Sequence, residues 1–468
     1  MKTKTQNILE WLIALYVLLL PVSAVYIFDE KFVGGFKSQY LTGQIFITEP
    51  LLWLIFILYI IFNFSSLTSL WRTKQFFKKL REPKRILTLS IWLFVAFSGL
   101  SIFWAADKAA AYYLWFHLLE GAALFFVIVS SGIKKEKLFW ALIIGAAAEG
   151  LIATSQFLTQ TIAANKWLGL AAHSAGNLGD IVIETASGRW LRAYGAFIHP
   201  NILCGFAAIG FAVAICLWHQ YFKSPTLNFT PEKNTLPDSK SSATENFITT
   251  WLKLLLLIIL TLLATAGLFF SFSLSAWLAA LIILIIVLWQ NRKSLFNLQY
   301  SIFVLSPLLL FVIFSWIFSP LVLARADFSN RLENISGQER LNQVSQTFGL
   351  IKKHPPIGIG INNFTVELQK LYPRQPAYAY QPVHNIYLLI TAELGLIGLA
   401  IFIIIMFHVI CYMLYDSKIF ISAASFLMVT FIIGLFDHYF WTQYVGIILF
   451  WLSLTFIADN IKIINQHE

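Results

Sequence analysis

Charge is what this chain has least of. Asp, Glu, Lys and Arg make up 12% of its 468 residues, against about 25% in a typical soluble domain. A soluble fold so poor in charge would turn large apolar patches to water, which excludes an ordinary water-soluble globular protein. Cysteine is scarce too: Cys204, Cys216 and Cys411 are the three, each inside an apolar run. That excludes a disulfide framework and a zinc site of the Cys-x-x-Cys type. No internal repeat is visible, and the first apolar run is followed by no small-residue cleavage site. That run reads as a retained span rather than a signal peptide.

What the chain has instead is length in apolar stretches. Hydrophobic residues are 58% of the sequence, and the mean hydropathy is +0.73. The formal charge of +10 sits in short connections between apolar runs. It is a topology signal, and no nucleic-acid partner is expected. Crossing a bilayer core takes roughly twenty helical residues. The runs place twelve spans, near 8–28, 45–64, 86–105, 112–130, 138–158, 200–221, 251–271, 275–290, 300–318, 386–410, 419–436 and 443–459. The expected fold is an all-α polytopic membrane protein.

Basic residues then orient it. Arg72, Lys74, Lys78, Lys79, Arg81, Lys84 and Arg85 crowd the 65–85 connection, and Lys134, Lys135 and Lys137 the next on the same side. The positive-inside bias puts these connections and both termini in the cytoplasm. The chain divides into 1–318, with spans one to nine, an outer loop at 159–199 and a flexible cytoplasmic loop at 222–250; 319–385, a large outer loop; and 386–468, with the last three spans and a tail. Within 159–199, two short apolar runs flank Ser187-Gly188 and predict a hairpin. Within 319–385, Ser336-Gly-Gln-Glu339 followed by Leu341, Val344, Phe348 and Ile351 predicts an amphipathic helix near 337–353. Pro355 and Pro356 stop it, Gly358 and Gly360 allow a sharp turn, and a second short helix follows near 363–372.

Two short motifs lie where outer loops meet spans: Arg192-Ala-Tyr-Gly-Ala-Phe-Ile-His199-Pro-Asn201, and His384-Asn385-Ile-Tyr387-Leu388 with Glu393-Leu-Gly395 one to two turns deeper. Each sets an imidazole beside an Asn at a membrane–water boundary. A neutral His accepts a proton from a hydroxyl, and a protonated one contacts phosphate. Glu393 lies within a span, where an ionisable group is a functional candidate, although a partner for a helix end is as good a reading. His173, His354 and His438 read as structural.

The ordered set Glu339-Arg340, Pro355-Pro-Ile-Gly358-Ile-Gly360-Ile-Asn-Asn-Phe364, His384-Asn385-Ile-Tyr387-Leu388 and Glu393-Leu-Gly395 resembles the signature region of the O-antigen ligase and polymerase family. The Arg192 to Asn201 stretch is similar to an upstream block of that family. The resemblance implies a GT-C-like bundle and an inverting, metal-independent glycosyltransferase without cofactor, in a bacterial inner membrane. Its donor would be a glycan on undecaprenyl diphosphate, and its acceptor a lipid, glycan or protein hydroxyl on the outer face. His384 would serve as base and Arg340 as catalytic cation, with Arg192 and Arg340 on the donor diphosphate and His199, Asn201, Asn385 and Glu393 in support. Where the family often has Ser-Arg-Gly/Ala between the seventh and eighth spans, this chain reads Ser273-Leu-Ser275-Ala-Trp277, without the Arg. No outer-face Asp-x-Asp is present to hold Mg²⁺. The alternatives are a protein O-oligosaccharyltransferase, which differs in acceptor, and a transporter or flippase for lipid-linked glycans.

Overall fold

In lipid the backbone has no water to pair with, so each apolar run satisfies its own N–H and C=O groups as a helix. The computed structural model describes residues 4–72, 83–222, 240–292, 297–415 and 417–458, and it is mostly helical. The helices are α1 (Lys4–Leu19), α2 (Glu49–Arg72), α3 (Pro83–Leu100), α4 (Lys108–Ser131), α5 (Lys135–Thr159), α6 (Pro200–Phe222), α7 (Lys240–Phe270), α8 (Leu274–Gln290) and α9 (Leu298–Ile317). They continue with α10 (Ser319–Ala326), α11 (Arg331–Lys353), α12 (Phe364–Leu371), α13 (Ile386–Tyr415), α14 (Ser417–Gly434), α15 (Tyr439–Thr442) and α16 (Tyr444–Ala458).

Seven described helices are long and apolar enough to cross a membrane, fewer than the twelve expected. The seven lie on α3 to α7, α9 and α13. The other expected spans fall on α1, of 16 residues, and on shorter apolar stretches in α2, α8, α14 and α16. The first is the clearest overshoot. Its helix stops at Leu19, just before Pro21, and 25–29 is a strand instead. Of the connections on which the orientation rested, 73–82, 223–239 and the tail after 458 lie outside the described residues; α2 and α3 extend into the first, and α7 begins at Lys240, so the end of the expected flexible loop at 222–250 is helical.

Expecting only helices was also too narrow. Among the described residues, four two-stranded antiparallel sheets lie in the connections after α1 and α5: β1 (Val25–Asp29) with β4 (Gly43–Phe46), β2 (Phe32–Val33) with β3 (Phe36–Lys37), β5 (Thr161–Ile162) with β6 (His173–Ser174), and β7 (Val182–Thr185) with β8 (Gly188–Leu191). The last is the predicted hairpin, with Thr185 opposite Gly188. The strands at 25–46 carry no long alternating run, which hid them in the sequence.

Helix α6 is the hub. Its span is almost wholly buried, with α5, α7, α8 and α14 around it. Lipid offers no hydrophobic drive between helices, so close packing depends on small residues. At the α5–α7 crossing a Cβ on Gly150 would stand 1.9 Å from the Leu263 carbonyl oxygen, and one on Gly267 would stand 2.9 Å from the Gly150 Cα. The two backbones touch there.

The loop between α9 and α13 holds α10, α11 and α12. Helix α11 starts earlier than predicted: Asn330 is its N-cap, its side chain accepting from the Leu332 amide at 3.4 Å. Ser336 is therefore inside the helix and caps nothing. The buried stripe is Gln343, Thr347 and Leu350, whereas Leu341 and Phe348 are 65% and 49% exposed. The apolar spacing misled because this helix turns a polar side chain towards a polar cavity.

Candidate active site

The site grows from one break in a helix. Gly395 interrupts α13 with φ 67°, and the Pro355–Asn363 turn packs into the gap. Leu396 N–H donates to the Pro355 carbonyl at 2.8 Å, and Ile397 N–H to that of Pro356 at 3.1 Å. From the turn, Ile359 N–H reaches the Ala392 carbonyl at 3.0 Å and Gly360 N–H that of Glu393 at 2.8 Å. Gly358 has φ 70°, and a Cβ there would lie 2.4 Å from the Glu393 carbonyl carbon; only glycine allows this approach. The Glu393 carboxylate accepts from Trp441 Nε1 at 2.8 Å and from the Asn362 and Phe364 amides. Buried at 2% exposure, it braces the turn and is absent from the cavity lining. Asn385 is spent in the same way, its Oδ1 capping the Leu388 amide at 2.9 Å and its Nδ2 donating to the Leu435 carbonyl at 3.1 Å.

What this scaffold positions is a cavity of about 320 Å³, lined by Tyr40, His173, Asp180, Tyr194, His199, Asn201, His384, Asp437, His438 and Gln443 among others. His384 and Gln343 meet there: His384 Nδ1 lies 2.8 Å from Gln343 Oε1. An amide oxygen only accepts, so Nδ1 carries the proton and neutral His384 keeps a bare Nε2. His199 holds the opposite tautomer, since its Nδ1 accepts from the Asn201 amide at 3.0 Å. His438 Nδ1 pairs with Thr442 Oγ1 at 2.8 Å, and its ring meets that of His384 edge to face, centroids 5.0 Å apart.

Asp437 is the carboxylate among these imidazoles. It accepts from Asn201 Nδ2 at 2.6 Å, and its other oxygen takes the His438 amide at 2.8 Å. Burial works to raise its pKa, but His384, His438, His199 and the Asn201 amide outweigh it and hold the carboxyl below its ordinary value. Burial holds the three histidines below theirs, His199 at about 4 and His438 at about 3, with the Arg340 charge helping on each. These directions compete for one proton; near neutral pH burial keeps the rings neutral, while the histidines and Asn201 keep Asp437 ionised against its burial. Across the cavity a second pair stands ready-made: His173 Nδ1 is 2.6 Å from Asp180 Oδ1, with Tyr194 stacked on the imidazole at 4.3 Å.

The arginines part company. Arg340 is exposed and makes no hydrogen bond or ion pair among the described residues, yet its charge is felt by His199, His384 and His438. Arg192 is 6% exposed and lies behind the cavity wall. Its Nε donates to the Ser271 carbonyl at 2.6 Å and its Nη2 to Asn201 Oδ1 at 2.8 Å. Burial, then the nearby Arg325, lower it to about 9, still charged at neutral pH. Arg325 itself reaches the Phe272 carbonyl at 3.1 Å and pairs with Glu333. Two guanidinium groups therefore converge on the 271–273 turn, where the chain has no arginine of its own. Sequence reading missed Arg325, Asp437 and His438. For Asp437 the available signal was an acid next to a His in a short connection of the same end.

A divalent ion has possible ligands here. His384, Asp437 and His438 offer one atom each, all within 4.8 Å of one another. Two imidazoles and a carboxylate are a plausible donor set for a transition metal, one that a search for paired carboxylates overlooks.

Fold and site together define a multi-pass membrane protein with a histidine-lined cavity at one end of a helical bundle. Residues 259–403 match the family model described as O-Antigen ligase. Residues 259–403, less than a third of the chain, thus form a region similar to the O-antigen ligase enzymes. The match includes Arg340, His384 and Glu393 but stops short of Arg192, His199, Asn201, Asp437 and His438, so most of the cavity lining comes from outside it. No curated protein matches the chain.

Proposed function

We propose that this protein transfers a glycan from undecaprenyl diphosphate to an acceptor hydroxyl at the outer face of a bacterial inner membrane, with inversion and without a metal. The observation that carries the reading is the His384–Gln343 pair, which leaves a neutral imidazole with a bare Nε2 beside a carboxylate that stabilises its protonated form. In this scheme Nε2 takes the acceptor hydroxyl proton as the oxygen attacks the anomeric carbon. The bond to the diphosphate breaks on the opposite face, and the electron pair leaves with the phosphate oxygen. Arg340 offsets the growing negative charge. Arg192, with two N–H directions already used, contributes its field and holds Asn201 against Asp437.

A second reading, ion-assisted transfer, is favoured by the convergence of His384, Asp437 and His438. Acceptor choice separates ligase, polymerase and protein O-oligosaccharyltransferase, and deletion in the host tests it. The expected result is accumulation of lipid-linked glycan with loss of glycan from one fraction: lipid, polymer or glycoprotein. Accumulation confined to the cytoplasmic leaflet would favour a flippase. For orientation, cysteines placed at Ser66 and Ser336 are expected to label from opposite sides; labelling from one side refutes it.

A further inference from the structure

A second cavity, of about 260 Å³, adjoins the histidine cavity, and the two share Gln39, Ile198, Ile202 and Gln443 as walls. Phe46 and Tyr444, stacked on each other at 4.6 Å and 18° and mostly buried, are part of its lining. Gln44, beside Phe46 on β4, adds another amide to the wall, and Lys166 lies at the margin. Gln443 is the informative residue. Only 7% of it is exposed, and its backbone is fully engaged, with N–H to the Tyr439 carbonyl at 3.1 Å and C=O from the Ile447 amide at 2.8 Å. Its side-chain amide has no hydrogen-bond partner among the described residues. Its atoms are not among the sealed unpaired groups, so the amide opens to the cavities and takes its partner from there. An unpaired amide in the wall between two cavities points to a ligand.

The chemistry of the lining narrows that ligand. An amide both donates and accepts, as do the neighbouring hydroxyls of a sugar. Three glutamines and no acid suit a neutral partner, and the apolar lining by Phe46, Phe197 and Ile202 suits the C–H face of a pyranose. The mixture of apolar surface with a few converging polar groups is that of a small-molecule site.

We infer that the second cavity holds a neutral sugar unit adjacent to the one that reacts in the histidine cavity, gripped by Gln443 with Gln39 and Gln44 against the apolar lining. The inference deepens the glycosyl-transfer reading and rests on it. None of the lining residues lies within 259–403. The site is thus built from the part of the chain outside the family match, which is where a preference for particular sugars can be set without altering the shared domain.

The test uses full-length protein in lipid nanodiscs, with the lipid-linked glycan extracted from the deletion host as donor and the host's own acceptor fraction. KM is measured for donor and acceptor separately. Gln443→Leu is expected to raise one KM roughly tenfold, as for loss of a paired polar contact, with kcat within about threefold. The substrate whose KM rises identifies whether the bound sugar belongs to donor or acceptor. Trimming that substrate with exoglycosidases to its reacting sugar should raise the wild-type KM similarly and abolish the difference between variant and wild type. Gln39→Ala, at an exposed position, gives a smaller effect in the same direction and serves if the Leu variant fails to fold. Unchanged KM for both substrates, or an equal penalty on the trimmed one, overturns the inference while transfer stands. A wild-type protein that transfers no lipid-linked glycan sinks the glycosyl-transfer reading and this inference with it.

Discussion

Two clusters in this protein are built from imidazole and carboxylate groups, and one of them lines a cavity while the other is sealed. His384, Asp437 and His438 bring their ligand atoms within 4.8 Å of one another, and so do Glu49, His117 and Glu120. The first group lines the cavity. The second is sealed: Glu49, His117 and Glu120 are 1%, 2% and 3% exposed. Glu49 accepts from the Phe46 amide at 3.0 Å, while Glu120 takes Trp53 Nε1 and lies 3.0 Å from His117 Nδ1. The rings of Tyr113 and Tyr444 close over His117. Chemistry of this kind becomes catalytic through access; where substrate cannot reach, the same groups tie helices together.

The comparison breaks most readily at His384. His384→Ala is expected to cost about 10²–10⁴ in transfer rate, and Arg340→Ala about 10²–10³, each with the protein folded and inserted. Lys352→Ala, an exposed change on the same helix, should leave the rate unchanged. Glycan transfer per mole of inserted protein measures all three. Near-wild-type transfer by the His384 variant at equal expression would remove it as the base.

In the sealed cluster the expectation reverses. His117→Ala should destabilise the protein by about 1–3 kcal/mol, since it leaves buried carboxylate oxygens short of a donor, while transfer per folded molecule stays at the wild-type level. Thermal unfolding in detergent beside an activity assay separates the two effects. A loss of turnover without a loss of stability would make the sealed cluster part of the chemistry.

Acid sharpens the contrast further. Unfolded histidines take up protons near 6.5, but folded His199 waits until about 4 and His438 until about 3. The unfolded chain therefore binds more protons in that window. The resulting stability is fully present above about 6.5 and is lost as pH falls, to about 4 for His199 and about 3 for His438. Asp437, held below its ordinary value, adds a loss of the same sign at lower pH. The transfer rate should likewise be flat near neutrality and fall only below the ordinary histidine range, because His384 is also lowered. Melting temperature and initial rate against pH check both; an acid limb above pH 7 would contradict them. The smallest expected effect is that of EDTA, which should leave transfer unchanged. Loss with chelator, restored by Mn²⁺ or Zn²⁺, would make His384, Asp437 and His438 a metal site.

Much of this protein was legible from its sequence. Hydropathy located the helical segments to within a few residues from α3 onward, apart from the early start of α7 at Lys240, because lipid demands a continuous apolar surface and a self-paired backbone. The signature stretch singled out His384 and Arg340, and the Ser187-Gly188 turn marked its hairpin. Tertiary structure alone decided what those residues face. Glu393 looked functional for being ionisable within a span, and it proves to be the brace for the Pro355–Asn363 turn. Arg192 is held at the Ser271 carbonyl, 79 positions away in the chain. Asp437 and His438 read as part of a short connection until the fold carried them to His384 and Asn201. Span placement depends on the composition of one stretch at a time, whereas a site depends on which distant side chains share a cavity, and that is set by how the helices pack.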